Sequence, residues 1–155
     1  MNRASLALAA LVALAAIVAG CGSDDSETTS SLTKAEFIKQ ADAICKKENA
    51  KIATEFKSFA KENGIPLDKE PNPEQGEELV EEILIPNVKS QAEAIRDLGA
   101  PSGEEEKVTE LLESLDEGIE EAEEDPGALF SSETDSFAKA NKLARYYGLE
   151  VCGQE

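Results

Sequence analysis

Apolar residues recur along most of this chain at the three- and four-residue spacing that places side chains on one face of an α-helix. Four such stretches are separated by short segments rich in glycine and proline, and no stretch alternates apolar and polar residues as a strand would. Amphipathic helices with short connections bury their apolar faces most simply against neighbours that run in the opposite direction. The sequence therefore predicts an all-α fold, an antiparallel bundle of about four helices.

Capping signals define the first predicted helix, which covers residues 34–62. Thr33 is in the N-cap position and Glu36 stands three residues later, which is the capping-box pattern. Leu32 and Phe37 flank the box and fit the positions of a hydrophobic staple.

Proline interrupts the second predicted helix, which runs from Pro73 to about Leu98 with Asn72 as its N-cap. Pro86 lies inside the apolar pattern, where it removes a hydrogen-bond donor and crowds the preceding turn. We therefore expect this helix to be kinked or split at Pro86.

The third and fourth helices have weaker start signals. Ser102 and Glu105 form a second capping-box pattern, which predicts that the third helix begins there and stops at Asp125. The Ser131-Ser132 pair is predicted to open the fourth helix, and Gly148 to end it in a left-handed conformation.

The first 20 residues have the features of a secretory signal. Arg3 precedes a run of small and apolar residues from Ala4 to Gly20, which is short and alanine-rich for a membrane span of about 20 apolar residues. The run ends in Val18-Ala19-Gly20-Cys21, which fits all four positions of the bacterial lipobox, whose cysteine receives a diacylglyceryl group. An ordinary secretory signal or an uncleaved anchor is the alternative.

This signal divides the chain into three parts: a signal peptide at 1–20, a lipidated Cys21 with a flexible polar tether at 21–32, and a helical domain at 33–155. Cleavage removes one of the 15 basic residues and none of the 33 acidic ones, so the net charge changes from −18 to −19. The predicted location is the extracytoplasmic face of the cell membrane, with the acyl chains as anchor.

Composition excludes several functions. The chain has no histidine, the commonest general base and transition-metal ligand, so nucleophile–histidine pairs and His-ligated metal centres are excluded. Its strongly acidic charge argues against binding to nucleic-acid phosphates. We predict no catalytic residue and no cofactor.

Two cysteines remain once Cys21 is lipidated. Cys45 lies on the apolar side of the first helix and Cys152 just beyond the fourth. An oxidising compartment permits a disulfide between them, which would tie the C-terminal tail to the first helix. The alternatives are two buried free thiols or a redox-active pair. The sequence contains no C-x-x-C motif that would support a redox-active pair.

Carboxylates crowd the end of the third helix, where the helix dipole disfavours negative charge. A site for a cation or a basic partner is one interpretation, and a solvated face is the other, partly neutralised by lysines of the first helix packed nearby. The candidate cation ligands are Glu120, Glu121, Glu123, Glu124 and Asp125.

The segments LTKAEFIKQADAICKKEN and ANKLARYYGLEVCG resemble a family of small secreted or lipid-anchored proteins of high-GC Gram-positive bacteria. The resemblance rests on an ADAIC cysteine, here Ala41–Cys45, and on a C-terminal YGxxxCG cysteine, here Tyr147–Gly153. It implies the disulfide and the location, and it carries over no activity or catalytic residue.

The most favoured function is therefore a non-catalytic binding or interaction module of the cell envelope, with an envelope protein or a basic partner. The alternative is a carrier of a small ligand or cation that uses a bundle cavity or the acidic helix, and a hydrolase that uses only carboxylates is the weakest. An enclosed apolar cavity would favour the carrier, and a flat exposed apolar patch would favour the interaction module.

Overall fold

The computed structural model describes residues 32–130 and 135–154, and these residues form helices and no strand. The predicted signal, Cys21 and the Ser131-Ser132 pair lie outside them. In chain order, the elements are α1 (Lys34–Glu62), α2 (Pro73–Leu79), a π-helical turn (Val80–Leu84), α3 (Ile85–Arg96), α4 (Glu105–Glu124), a 3-10 turn (Pro126–Phe130) and α5 (Ala138–Tyr147). The all-α prediction is confirmed.

The predicted capping box of α1 is present. The backbone N–H of Glu36 donates to Thr33 Oγ1 at 3.3 Å, and the backbone N–H of Thr33 donates to Glu36 Oε2 at 2.9 Å. Leu32 packs into the same apolar cluster as Phe37, as expected for a staple. Local signals alone therefore fix the start of the longest helix.

The predicted second helix is divided next to Pro86 by the π-helical turn. Pro86 has no N–H, and in a regular α-helix its ring would crowd the carbonyl four residues earlier. The turn is wider there, and the N–H of Ile85 reaches the carbonyl of Val80, five residues back. The Asn87 side chain, 2 % exposed, also donates to the carbonyl of Ile83 at 2.7 Å. The expected irregularity is thus a π-turn that joins α2 to α3.

Two predicted helix starts are wrong. The third predicted helix, α4, begins at Glu105 and not directly after Ser102, because Gly103 is left-handed and Glu104 N–H closes a turn onto the Pro101 carbonyl. The fourth helix begins at Ala138 and not at the Ser131-Ser132 pair. Its start follows a turn in which Asp135 accepts the backbone N–H groups of residues 137 and 138.

Cross-helix contacts show that neighbouring helices are antiparallel. Along α3 the ion-paired residues rise from Lys89 to Arg96, while their partners on α4 fall from Glu123 to Asp116. The first helix packs on α3 and α5 packs on α4. The predicted antiparallel arrangement follows from these pairs.

The main core joins α1, α3, α4 and α5 around buried residues such as Phe37, Cys45, Leu111 and Leu149. Two smaller clusters fill the opposite end of α1 and the space between the π-turn and α4. Among the described residues, no helix is both long enough and apolar enough to cross a membrane.

The predicted disulfide is confirmed. Cys45 and Cys152 are joined with their Cα atoms 5.2 Å apart and 107 positions apart in sequence. The bond connects the middle of α1 to the tail that follows α5, and this connection shapes the candidate site.

Candidate functional site

The C-terminal tail, residues 148–154, lies across α1 and is held by one carboxylate. Asp42 accepts the backbone N–H groups of Glu150, Val151 and Cys152 at 3.2, 2.9 and 3.2 Å. A carboxylate is suited to this position because it only accepts hydrogen bonds, and bonds to a charged group are the stronger ones. Asp42 therefore places Cys152 beside Cys45, one helical turn further along α1.

Close packing against α5 fixes the other side of the tail. Gly148 ends α5 at a φ of 107°, and the N–H of Leu149 returns to the Ala144 carbonyl at 2.9 Å, as predicted for this C-terminal cap. Arg145 Nη1 donates to the Gly153 carbonyl at 2.7 Å. A Cβ on Gly153 would lie 2.7 Å from Arg145 Cγ, so a side chain there would force the tail away from α5.

This tail completes a pocket of about 180 Å³ between α1, α3, α4 and α5, which we call the amide-rimmed pocket. Its floor is apolar and consists of well-buried side chains, and the disulfide forms part of its wall. The floor residues are Cys45, Ile95, Leu111, Ala144 and Leu149.

Four carboxamide side chains stand at the edge of this pocket, each from a different segment: Asn49 on α1, Gln91 on α3, Asn141 on α5 and Gln154 on the tail. Asn49 and Gln154 are exposed, and the other two are half-buried. No hydrogen bond joins these four amide groups to another residue in the described ranges 32–130 and 135–154. Each amide therefore has donors and an acceptor free for a ligand.

None of the described residues that line the amide-rimmed pocket carries a charge, although the whole chain has 48 charged residues. The open groove between α3 and α4 is different, since the Lys89–Glu123 and Arg96–Asp116 ion pairs form half of its lining residues. A pocket without charge on so charged a protein is the most distinctive feature of the described surface.

The five acidic candidates at the end of α4 lie apart on the exposed surface. All are exposed, and no three acidic, cysteine or histidine side chains of the described residues are grouped as a metal site requires. Glu123 instead pairs with Lys89 on α3 at 2.6 Å, and Asp125 accepts the backbone N–H of Ala128. Neutralisation by the first helix is confined to Lys34, which pairs with Glu104 just before α4, and the other cations that face α4 come from α3 and α5.

A lysine of α1 and a lysine of α4 both reach Glu104, the residue just before α4. Glu104 accepts hydrogen bonds from Lys107 and Lys34, and the bond from Lys107 is the main reason why its carboxyl pKa lies below the ordinary value. Lys34 Nζ also lies 4.4 Å from the centre of the Tyr147 ring. Burial raises the pKa of the Tyr147 phenol, and the charge of Glu104 adds to this effect. These contacts tie the start of α1 to the bundle.

The two pocket cysteines were predicted from the sequence, whereas the rim amides and Asp42 were not. The sequence does contain a signal for the rim. Asn49 is one helical turn beyond Cys45 and Gln91 is one turn before Ile95, so each uncharged polar residue lies on the same helix face as a neighbouring apolar residue. Comparisons with protein-family models, curated proteins and solved structures found no match for this chain.

Proposed function

We propose that this protein is a lipid-anchored, extracytoplasmic, non-catalytic binding protein that holds a small molecule in the amide-rimmed pocket. The observation that carries the proposal is the uncharged lining of this pocket beneath a highly charged surface. Ligand pockets are typically apolar with a few polar groups that fix orientation. A volume of about 180 Å³ suits a ligand of about one ring, because an apolar cavity of about 150 Å³ accommodates benzene.

The lining also supports a binding role over a catalytic one. Acid–base catalysis needs a group that exchanges a proton near the operating pH. The described lining residues offer amides, hydrocarbon and a disulfide, and none of these titrates in that range.

A protein-docking role has less support. The largest exposed apolar side chains of the described residues are Leu67, Phe130 and Tyr146, which lie on three separate segments: the loop after α1, the 3-10 turn and α5. Single exposed apolar residues are normal on protein surfaces and do not indicate an interface.

The location rests on the N-terminal sequence, and the disulfide is in keeping with an oxidising compartment. Mass spectrometry of the membrane fraction should detect an acylated N-terminal peptide that begins at Cys21. The substitution Cys21→Ser should release the protein from the membrane or leave its signal uncleaved. An unmodified Met1 at the N-terminus of the wild-type protein would contradict the proposed anchor.

Binding is tested with toluene, an apolar probe of suitable size, added to the isotope-labelled domain. We expect methyl chemical shifts of Leu111, Leu115 and Ile95 to change and to saturate. Ala140→Leu fills the pocket and should abolish these changes, whereas Ala138→Leu on the exposed side of α5 should not. If neither toluene nor a polar aromatic probe of similar size causes a saturable change in the folded wild-type protein, the pocket is not a binding site.

A further inference from the structure

We infer that the ligand of the amide-rimmed pocket is an uncharged molecule with an apolar body and an edge that both donates and accepts hydrogen bonds, as an amide does. This inference rests on the proposed function and specifies the chemistry of its ligand. It depends on the arrangement of a hydrocarbon floor below a ring of carboxamides.

The floor determines the body of the ligand. Ile95, Leu111 and Leu149 are each at most 6 % exposed, so a group that reaches them leaves water for hydrocarbon. An ionised group there would lose its hydration without a partner charge, because the described lining residues contain none. Both anionic and cationic ligand bodies are therefore disfavoured.

The rim determines the edge of the ligand. Every carboxamide offers two N–H donors and one carbonyl acceptor, so the rim matches a partner that has both kinds of group. Gln91 and Asn141 are the half-buried members, and they lie closest to the protected interior. A ligand without such an edge would cover these amides and leave them unpaired, which lowers affinity.

Four probes of nearly equal size separate these contributions: benzamide, benzoate, the benzamidinium cation and toluene. Each is titrated at physiological salt, and only the binding that Ala140→Leu removes is counted, because the acidic surface attracts cations without a site. We expect benzamide to bind at least threefold more tightly than toluene, and both ions to bind at least tenfold more weakly than benzamide.

Rim variants test the role of the amides directly. Gln91→Leu combined with Asn141→Leu should reduce benzamide affinity to that of toluene, while toluene affinity stays within about twofold. The matched control is Gln40→Leu, an exposed carboxamide on α1 away from the pocket, which should change neither.

The outcomes separate the two proposals. If toluene binds and either ion binds as tightly as benzamide, the ligand class is wrong and the binding site stands. If toluene binds and the rim variants leave benzamide affinity unchanged, the amides do not select the ligand, which also overturns the inference. If no probe binds to the folded protein, the proposed function itself fails.

Discussion

At the scale of single residues, Asp42 has the clearest structural role. Its carboxylate accepts three consecutive backbone N–H groups of the tail, and the disulfide forms directly beside it. The motif that contains Asp42 and Cys45 in α1 and the motif that contains Gly148 and Cys152 at the C-terminus therefore meet in space. Two segments that are far apart in sequence form one structural unit.

We predict that Asp42→Asn lowers the free energy of unfolding by about 2 kcal/mol, because a neutral amide accepts weaker hydrogen bonds and turns a donor toward one of the N–H groups. Urea denaturation of the oxidised protein measures the effect. Asp68→Asn, in the exposed loop after α1, is the control and should change stability by less than about 0.5 kcal/mol. Equal effects of the two substitutions would mean that the contacts of Asp42 add nothing to stability.

At the scale of elements, the chain that leads into α5 packs closely against a glycine of α4. Gly118 on α4 is buried, and a Cβ there would lie 2.5 Å from the Ser136 carbonyl oxygen. Gly76 on α2 is also buried, but a Cβ there would meet the ring of Phe130 at 3.0 Å. That ring is 49 % exposed and is free to move, whereas the backbone at Ser136 is not. The two glycines therefore allow a comparison between a Cβ that meets fixed backbone and a Cβ that meets a movable side chain.

We expect opposite effects of alanine at these two positions. Alanine in place of glycine inside a helix contributes about 1 kcal/mol through helix propensity. In Gly76→Ala this gain should remain, so that stability is unchanged or raised. In Gly118→Ala the backbone clash should outweigh the gain and cost about 1–2 kcal/mol net. Urea denaturation of both variants checks this, and a stabilised Gly118→Ala protein would contradict the close approach.

The acidic end of α4 yields a second prediction for an element. Glu124 is the last residue of the helix and is exposed at its negative end, so Glu124→Gln should raise stability by a few tenths of a kcal/mol. Glu123→Gln should gain less, because it also removes the ion pair with Lys89.

Thermal melts of the wild type and both variants measure these differences, and the gain of Glu124→Gln should shrink at 1 M salt, where the Debye length is about 3 Å. Calcium and sodium at equal ionic strength should give the same melting temperature. A rise specific to calcium in the wild type would indicate a cation site at this helix end.

The elements differ in how far the sequence predicts them. The starts of α1 and α2 were predictable because the Thr33–Glu36 and Asn72–Gln75 pairs act within one turn. The start of α4 was predicted too early, because Gly103 adopts a left-handed turn after Ser102. The helix faces that carry the rim amides could be inferred from the sequence, but the pocket itself was not predictable, because it requires α1, α3, α4, α5 and the tail to meet and no local pattern encodes that meeting.

At the scale of the whole molecule, the disulfide is both a staple and a wall of the pocket. The chain-entropy model gives about 4–5 kcal/mol of stabilisation for a closed loop of about 107 residues. Since Cys45 and Cys152 also line the pocket, the same bond contributes to stability and to the wall of the pocket.

We predict that reduction by dithiothreitol lowers the free energy of unfolding by about 4 kcal/mol and weakens the binding of benzamide. Because coupling between two equilibria is reciprocal, saturating benzamide should in turn shift the dithiol–disulfide equilibrium toward the disulfide. Urea denaturation, ligand titration and the fraction of free thiol at equilibrium with graded dithiothreitol provide the three measurements. The variant with both Cys45→Ala and Cys152→Ala should not respond to the reductant. Equal affinity of the oxidised and reduced proteins for benzamide would show that the tail is not part of the binding site.

The same cross-link determines how the domain responds to a mechanical load. When the two ends of the chain are pulled apart, tension passes from the first part of α1 through the sulfur bridge directly to the last residues. Nearly all of the bundle lies inside the covalent loop and carries no tension, which keeps about 350 Å of contour length from being released. Under oxidising conditions, the part of the chain between Cys45 and Cys152 therefore keeps its fold under forces that would unravel an uncrosslinked bundle.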